Sequence, residues 1–169
     1  MKSSTSGWLR ALSAGAGLAS VLGLGATAWA GTTTTNFTVS ATVVAACVTS
    51  ATNINFGNYS ASSGSPDNAS NTVSVTCTNN DPYTIALNGG NSGQVNARTM
   101  TNGSNTLGYG IYTSSSYTTI WGDGTNGTST VSGTGNGAAQ NYTAYGQVPA
   151  AEYAAAGSYT DTITATVTF

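Results

Sequence analysis

Residues 36–47 read NFTVSATVVAAC, and the apolar residues Phe37, Val39, Ala41 and Val43 recur at every second position. A period of two puts them on one face of a β-strand. Residues 157–169, GSYTDTITATVTF, repeat the pattern with Tyr159, Ile163, Ala165, Val167 and Phe169 in phase. Asp161 shares that phase, which predicts that the first residues of this strand project beyond the core. The chain thus opens and closes on apolar strands with no evident partner, and an unpaired edge invites pairing with another molecule.

Upstream of the opening strand, Lys2 and Arg10 precede an apolar run at residues 11–26, and Ala28-Trp29-Ala30 forms a small-x-small site before Gly31. This is the layout of a secretory signal peptide, residues 1–30. The run is too short, and too broken by Gly15, Gly17, Gly23 and Gly25, for a membrane span of about 20 apolar residues. Cleavage after Ala30 leaves 139 residues, enough for one modest core. Their only basic residue is Arg98; against Asp67, Asp81, Asp123, Glu152 and Asp161 the net charge is −4, with no histidine. Nothing there neutralises phosphates, so neither nucleic acid nor an anionic membrane is an expected partner. Low net charge with nine tyrosines also argues against disorder.

Cys47 and Cys77 are the only cysteines, and both lie in the exported part. In an oxidising compartment they read as one disulfide; two thiols without histidine are half a zinc site. Between and after them run short strand candidates: residues 53–57 (NINFG, with Ile54 and Phe56 on one face), 72–78 (TVSVTCT), 83–87 (YTIAL), 107–112 (LGYGIY), 118–121 and 141–148 (NYTAYGQV). Residues 59–70 read as loop, as does most of the Gly/Thr/Ser/Asn-dense stretch 122–140, and the segment containing Arg98 and Met100 as a polar connection. Residues 150–156 have room for one helical turn. Short strands separated by turn signals, with no long helical periodicity, predict an all-β sandwich.

Several of these pieces stand in a familiar order: F-x-V-x-A-x-V before Cys47, N-F-G, V-x-V-x-C, Y-x-I-x-L before Gly-Gly, L-x-Y-x-I-Y, Y-G-Q-V-P-A, and a terminal G-x-Y-x-D-T-I-x-A-x-V-x-F. Over residues 36–169 the chain resembles the spore coat protein U domain, the subunit type of archaic chaperone-usher pili. The resemblance implies an incomplete immunoglobulin-like β-sandwich completed by a donor strand from a neighbouring subunit. A periplasmic pilus chaperone first fills the groove. At the outer-membrane usher, the next identical or related pilin subunit replaces it by donor-strand exchange.

Carried over to this sequence, residues 31–46 would be the donor extension, with Phe37, Val39, Ala41 and Val43 as its inserting side chains. Residues 47–169 would be the pilin domain, with Ile163, Ala165, Val167 and Phe169 along its acceptor groove. The implied destination is the cell surface, by way of the periplasm, in a homo-polymer that supports adhesion or biofilm formation, with no cofactor. The pattern alone equally fits a self-contained sandwich in which residues 37–43 pair with the last strand of their own chain.

Catalysis has little to work with. Histidine is absent, the acids stand singly, and Asp123 with Glu152 is the only carboxylate pair worth naming. A secreted carbohydrate-binding or surface-coat module is the rival, using Trp121 with Tyr109, Tyr112 and Tyr145 to stack on sugars; the alternative role for all four is strand packing.

Overall fold

The structure is a computed structural model that describes residues 29–169, so the leader assigned to residues 1–30 lies almost wholly outside the described residues. The chain divides into Met1–Ser40 and Ala41–Phe169. In the first unit, residues 29–40 carry no regular secondary structure, and Phe37 and Val39 are exposed.

The second unit is a two-sheet β-sandwich. Its strands are β1 (Cys47–Ala51), β2 (Asp67–Cys77), β3 (Pro82–Leu87), β4 (Arg98–Asn102), β5 (Asn105–Tyr112), β6 (Val131–Thr134), β7 (Gln140–Val148) and β8 (Ala165–Thr168). One sheet has the order β1-β2-β7-β5-β4, the other β6-β3-β8. Every ladder between these strands is antiparallel. The alternation seen in the sequence becomes the buried layer: Val73, Val75 and Cys77 from β2, Ile111 from β5 and Ala144 from β7 face Tyr83, Ile85 and Leu87 from β3, with Trp121 between. Val75, Ile85 and Trp121 are fully buried, and burial of each such side chain stabilises by about 1.5–3 kcal/mol.

Cys47 and Cys77 are joined in a disulfide across directly paired positions of β1 and β2. The chain enters the sheet one residue earlier, where the Thr78 amide donates to the Ala46 carbonyl (2.9 Å) and the Ala46 amide to Thr78 Oγ1 (2.9 Å).

The structure corrects several expectations. Strand β2 begins at Asp67, inside the stretch 59–70 read as loop, because β7 pairs with it from Asp67↔Val148 onward and satisfies a backbone whose side chains show no alternation. Arg98 and Met100 lie on β4, and β6 interrupts the expected loop at 122–140. Residues 118–121 form only isolated bridges, Tyr112↔Ile120 and Trp121↔Ser129. At 150–156 the chain turns at Ala151, held at φ 62°, with no helical turn.

The largest departure concerns residues 53–57, which belong to no strand. Ile54 still packs against the core. It does so beside Gly146 on β7, where a Cβ would stand 3.0 Å from Ile54 Cγ2 and 2.9 Å from Phe56 Cζ. The missing side chain at Gly146 makes the seat for both residues, so they are held by packing and not by a ladder. Likewise only Ala165–Thr168 of the long terminal run is laddered, and Asp161, far from projecting into solvent, is half-buried and hydrogen-bonded.

Candidate functional site

The two segments that look like strands and lack a ladder face each other across an open groove. One wall is residues 51–56, the other residues 159–165, and the floor includes Val73, Leu87, Ile111 and Ala144; the hollow measures about 560 Å³. A second hollow of about 600 Å³ shares Ile54, Asn55, Phe56, Met100 and Tyr159 with it and runs on toward Tyr59, Leu107 and Glu152. Sheet geometry explains the opening. Strand β8 hydrogen-bonds to β3 on one side and is the edge of its sheet on the other, among the described residues. On the opposite wall, pairing with β2 continues past β1 only to Thr52, whose amide donates to the Thr72 carbonyl (3.0 Å).

Of the residues singled out in the sequence, Ile163, Ala165 and Val167 are half-buried and pack on the core from this groove edge, while Phe169 is 55 % exposed. Phe37, Val39 and Val43 are 86, 83 and 82 % exposed, and Ala41 is exposed as well. Several large apolar side chains left in water along one short segment are the kind of surface that marks an interaction site.

The polar groups at the groove were not visible as a set. Asp161 Oδ2 accepts from the Tyr109 hydroxyl (2.6 Å), and Oδ1 accepts from the backbone amides of Asn91 (2.7 Å) and Thr162 (2.7 Å). Burial, and then the bond to Asp161, raises the Tyr109 pKa well above the ordinary phenol value. Next to Tyr109 across the β4–β5 ladder stands Arg98, 2 % exposed. Its Nε donates to the Asn88 carbonyl (2.9 Å) and Nη2 to the Trp121 carbonyl (2.9 Å), while Nη1 is buried without a partner. Burial lowers the guanidinium pKa, and Tyr109, Asp161 and Asp123 offset part of that.

Sequence reasoning missed Met100 as part of the groove and Gly146 as the seat for Ile54 and Phe56. Met100 does sit two residues from Arg98 in R-T-M-T-N, a period-two signal overlooked among polar neighbours.

Two of the residues named for the rival chemistries, Trp121 and Asp123, are committed within the fold. Trp121 has no exposed surface and its indole N–H donates to the Ile85 carbonyl (3.0 Å), so it is a core residue and offers no face to a sugar. Asp123 Oδ1 caps a turn, accepting from Thr125 Oγ1 (2.7 Å) and the Thr125 amide (2.9 Å), bonds that hold its pKa below the usual carboxylate value. Among the described residues there is no cluster of three His, Cys, Asp or Glu side chains.

Comparison with known proteins matches the geometry. A solved structure similar to this chain is the CsuC-CsuE chaperone-tip adhesion subunit pre-assembly complex from archaic chaperone-usher Csu pili of Acinetobacter baumannii, with a TM-score of 0.53 and 27 % identity. The alignment covers 76 % of this chain and 40 % of that one, so the present chain accounts for well under half of its length. A search of curated proteins finds no match. The family model for the Spore Coat Protein U domain matches residues 33–166, and the chain belongs to that family.

Proposed function

We propose that this chain is a subunit of a chaperone-usher pilus and polymerises by donor-strand exchange. In this reading residues 1–30 direct export and are removed, residues 31–46 are the donor extension, and residues 47–169 are the acceptor domain. A periplasmic chaperone holds the groove until an outer-membrane usher brings the next subunit, and the polymer serves adhesion or biofilm formation at the cell surface.

The observation that carries the proposal is the coexistence, in one chain, of an apolar groove beside the edge strand β8 and an exposed segment with apolar residues at Phe37, Val39, Ala41 and Val43. Strand addition suits both: the backbone ladder gives affinity, and alternate side chains give specificity. A strand of about ten residues that buries several hundred Å² of apolar surface gains on the order of 10 kcal/mol before ordering costs, enough for a long-lived junction. Insertion into the chain's own groove is disfavoured by Val44, Ala45 and Ala46, the only residues between the donor positions and the anchored Cys47. A tight reversal calls for Gly, Asn, Asp or Pro, and these three are none of them.

The test is co-expression with the cognate chaperone, comparing the full chain with a form lacking residues 31–46. Both should give soluble 1:1 chaperone complexes, and only the full chain should polymerise. A truncated form that folds as a stable monomer without chaperone would refute donor-strand exchange.

A further inference from the structure

We propose that Asp161 sets the register of the inserted strand; this rests on the donor-strand reading above and adds to it the residue that decides where the strand stops. On the C-terminal wall of the groove, the half-buried phase runs Asp161, Ile163, Ala165, Val167, with Phe169 in the same phase but exposed, alternating with exposed threonines at 162, 164, 166 and 168. The donor segment offers four apolar positions, Phe37, Val39, Ala41 and Val43. Four apolar acceptor positions therefore follow one carboxylate.

Asp161 cannot swing aside. Its two oxygens are held by the Tyr109 hydroxyl (2.6 Å) and the Asn91 and Thr162 amides (2.7 Å each). Its carboxylate also packs on Gly90 so closely that a Cβ there would stand 2.6 Å from Cγ. The loop that supplies Asn91 also grips the next part of the wall, since Asn88 Oδ1 accepts from the Thr164 amide (2.9 Å). Asp161 lines the groove all the same, so part of its solvation comes from that side.

The ladders of this sandwich are all antiparallel, and a strand added beside β8 in the same sense can adopt few registers. A slip of one residue turns the apolar face outward. A slip of two that brings Val43 opposite Asp161 strips water from a fixed carboxylate and gives nothing in return. A slip of two the other way takes Val43 off Ile163 and leaves only the small Ala45 opposite it. The remaining register places Phe37 opposite Phe169, Val39 opposite Val167, Ala41 opposite Ala165 and Val43 opposite Ile163, with the methyl group of Ala45 beside Asp161. Ala41 then meets the smallest acceptor residue. Asp161 is thus a positioning residue that penalises the wrong registers.

The experiment is cysteine trapping in polymers of the full chain, with Ala41→Cys combined in turn with Ile163→Cys, Ala165→Cys or Val167→Cys. Disulfides between neighbouring subunits are quantified by mass spectrometry, separately from the native Cys47–Cys77 bond. The Ala165 pairing should exceed the other two by about tenfold or more, a ratio at the low end for desolvating a hydrogen-bonded carboxylate. In an Asp161→Ala background the Ile163 pairing should rise to within a few-fold of it. Equal trapping at all three positions with Asp161 present, or an unchanged preference after its removal, would overturn the assignment. If Asp161→Ala does not fold, Asp161→Asn keeps the shape without the charge and should relax the preference partially; no change there also overturns it. Polymers that form without trapping at any pair would instead refute donor-strand exchange itself.

Discussion

Replacing Arg98 by methionine tests the central physical balance in this sandwich. Arg98 is a buried cation with no carboxylate in direct contact, and removing such a charge can stabilise a protein because the desolvation penalty disappears. Here the acceptors decide the sign. The guanidinium donates to the Asn88 and Trp121 carbonyls at 2.9 Å each and more weakly to the Leu87 carbonyl at 3.4 Å. These are backbone groups that no substitution removes, and Arg98→Met leaves them in the core without that donor. Two charge-assisted bonds at about 1.5–3 kcal/mol each give a gross loss of about 3–6 kcal/mol. Recovered desolvation, including that of the unpartnered Nη1, offsets part of this, leaving a net destabilisation of about 2–3 kcal/mol. After residue 30 the only tryptophan is Trp121, fully buried and bonded to Arg98 through its carbonyl, so its fluorescence reports on this site. Urea unfolding of wild type and variant at matched concentration should show a midpoint lower by about 1–2 M. Arg98→Lys should recover little, because an ammonium cannot reproduce the fork that spans the carbonyls. A midpoint unchanged or raised by Arg98→Met would show that desolvation outweighs the carbonyl bonds.

Two further outcomes are expected. Burial, and then the hydrogen bond with Tyr142 (2.7 Å), pushes the Tyr83 pKa up to about 12, so the folded state favours the neutral phenol. The corresponding stability is fully present below the ordinary phenol pKa of about 10 and is lost as pH rises through about 12. Tyr83→Phe should flatten the loss of stability over that window in base titrations followed by circular dichroism, and parallel curves would refute the assignment. Replacing Cys47 and Cys77 together by alanine opens a loop with a sequence separation of 30, worth about 3.5–4 kcal/mol in the chain-entropy model. The yield of folded subunit should drop before assembled junctions weaken, as measured by comparing chaperone-complex recovery with the dissociation rate of preformed polymer.

The all-β class was legible because Val73, Val75, Ile85 and Leu87 alternate with polar residues and the structure buries those same residues. The disulfide was legible because the two cysteines lie in the part read as exported and Cys77 shares the phase of Val73 and Val75; the structure pairs Cys47 directly across from it. What stayed hidden depends on tertiary partners. The first residues of β2, D-N-A-S-N, form a strand because β7 supplies their hydrogen bonds, and no property of the five side chains announces it. Asp161 looked like a residue leaving the core because its three donors, Tyr109, Asn91 and Thr162, include two that are remote in sequence. The burial of Arg98 was not visible in a segment read as a polar connection; its acceptors are carbonyls, and carbonyls leave no trace in composition.

The error at residues 53–57 is of a different kind. The alternation of Ile54 and Phe56 correctly reports which side chains face inward, and Gly146 gives them a seat. Periodicity encodes faces; a strand also needs a neighbour to accept its backbone bonds. The same is true of Ile163 on the facing wall, inward in phase yet outside the β8 ladder, which starts at Ala165. Two segments with strand patterning and no ladder thus flank one groove, while a third, carrying Phe37, Val39, Ala41 and Val43, lies exposed. That arrangement suits the donor-strand reading proposed above, in which one chain would supply the walls for one neighbour and the strand for another.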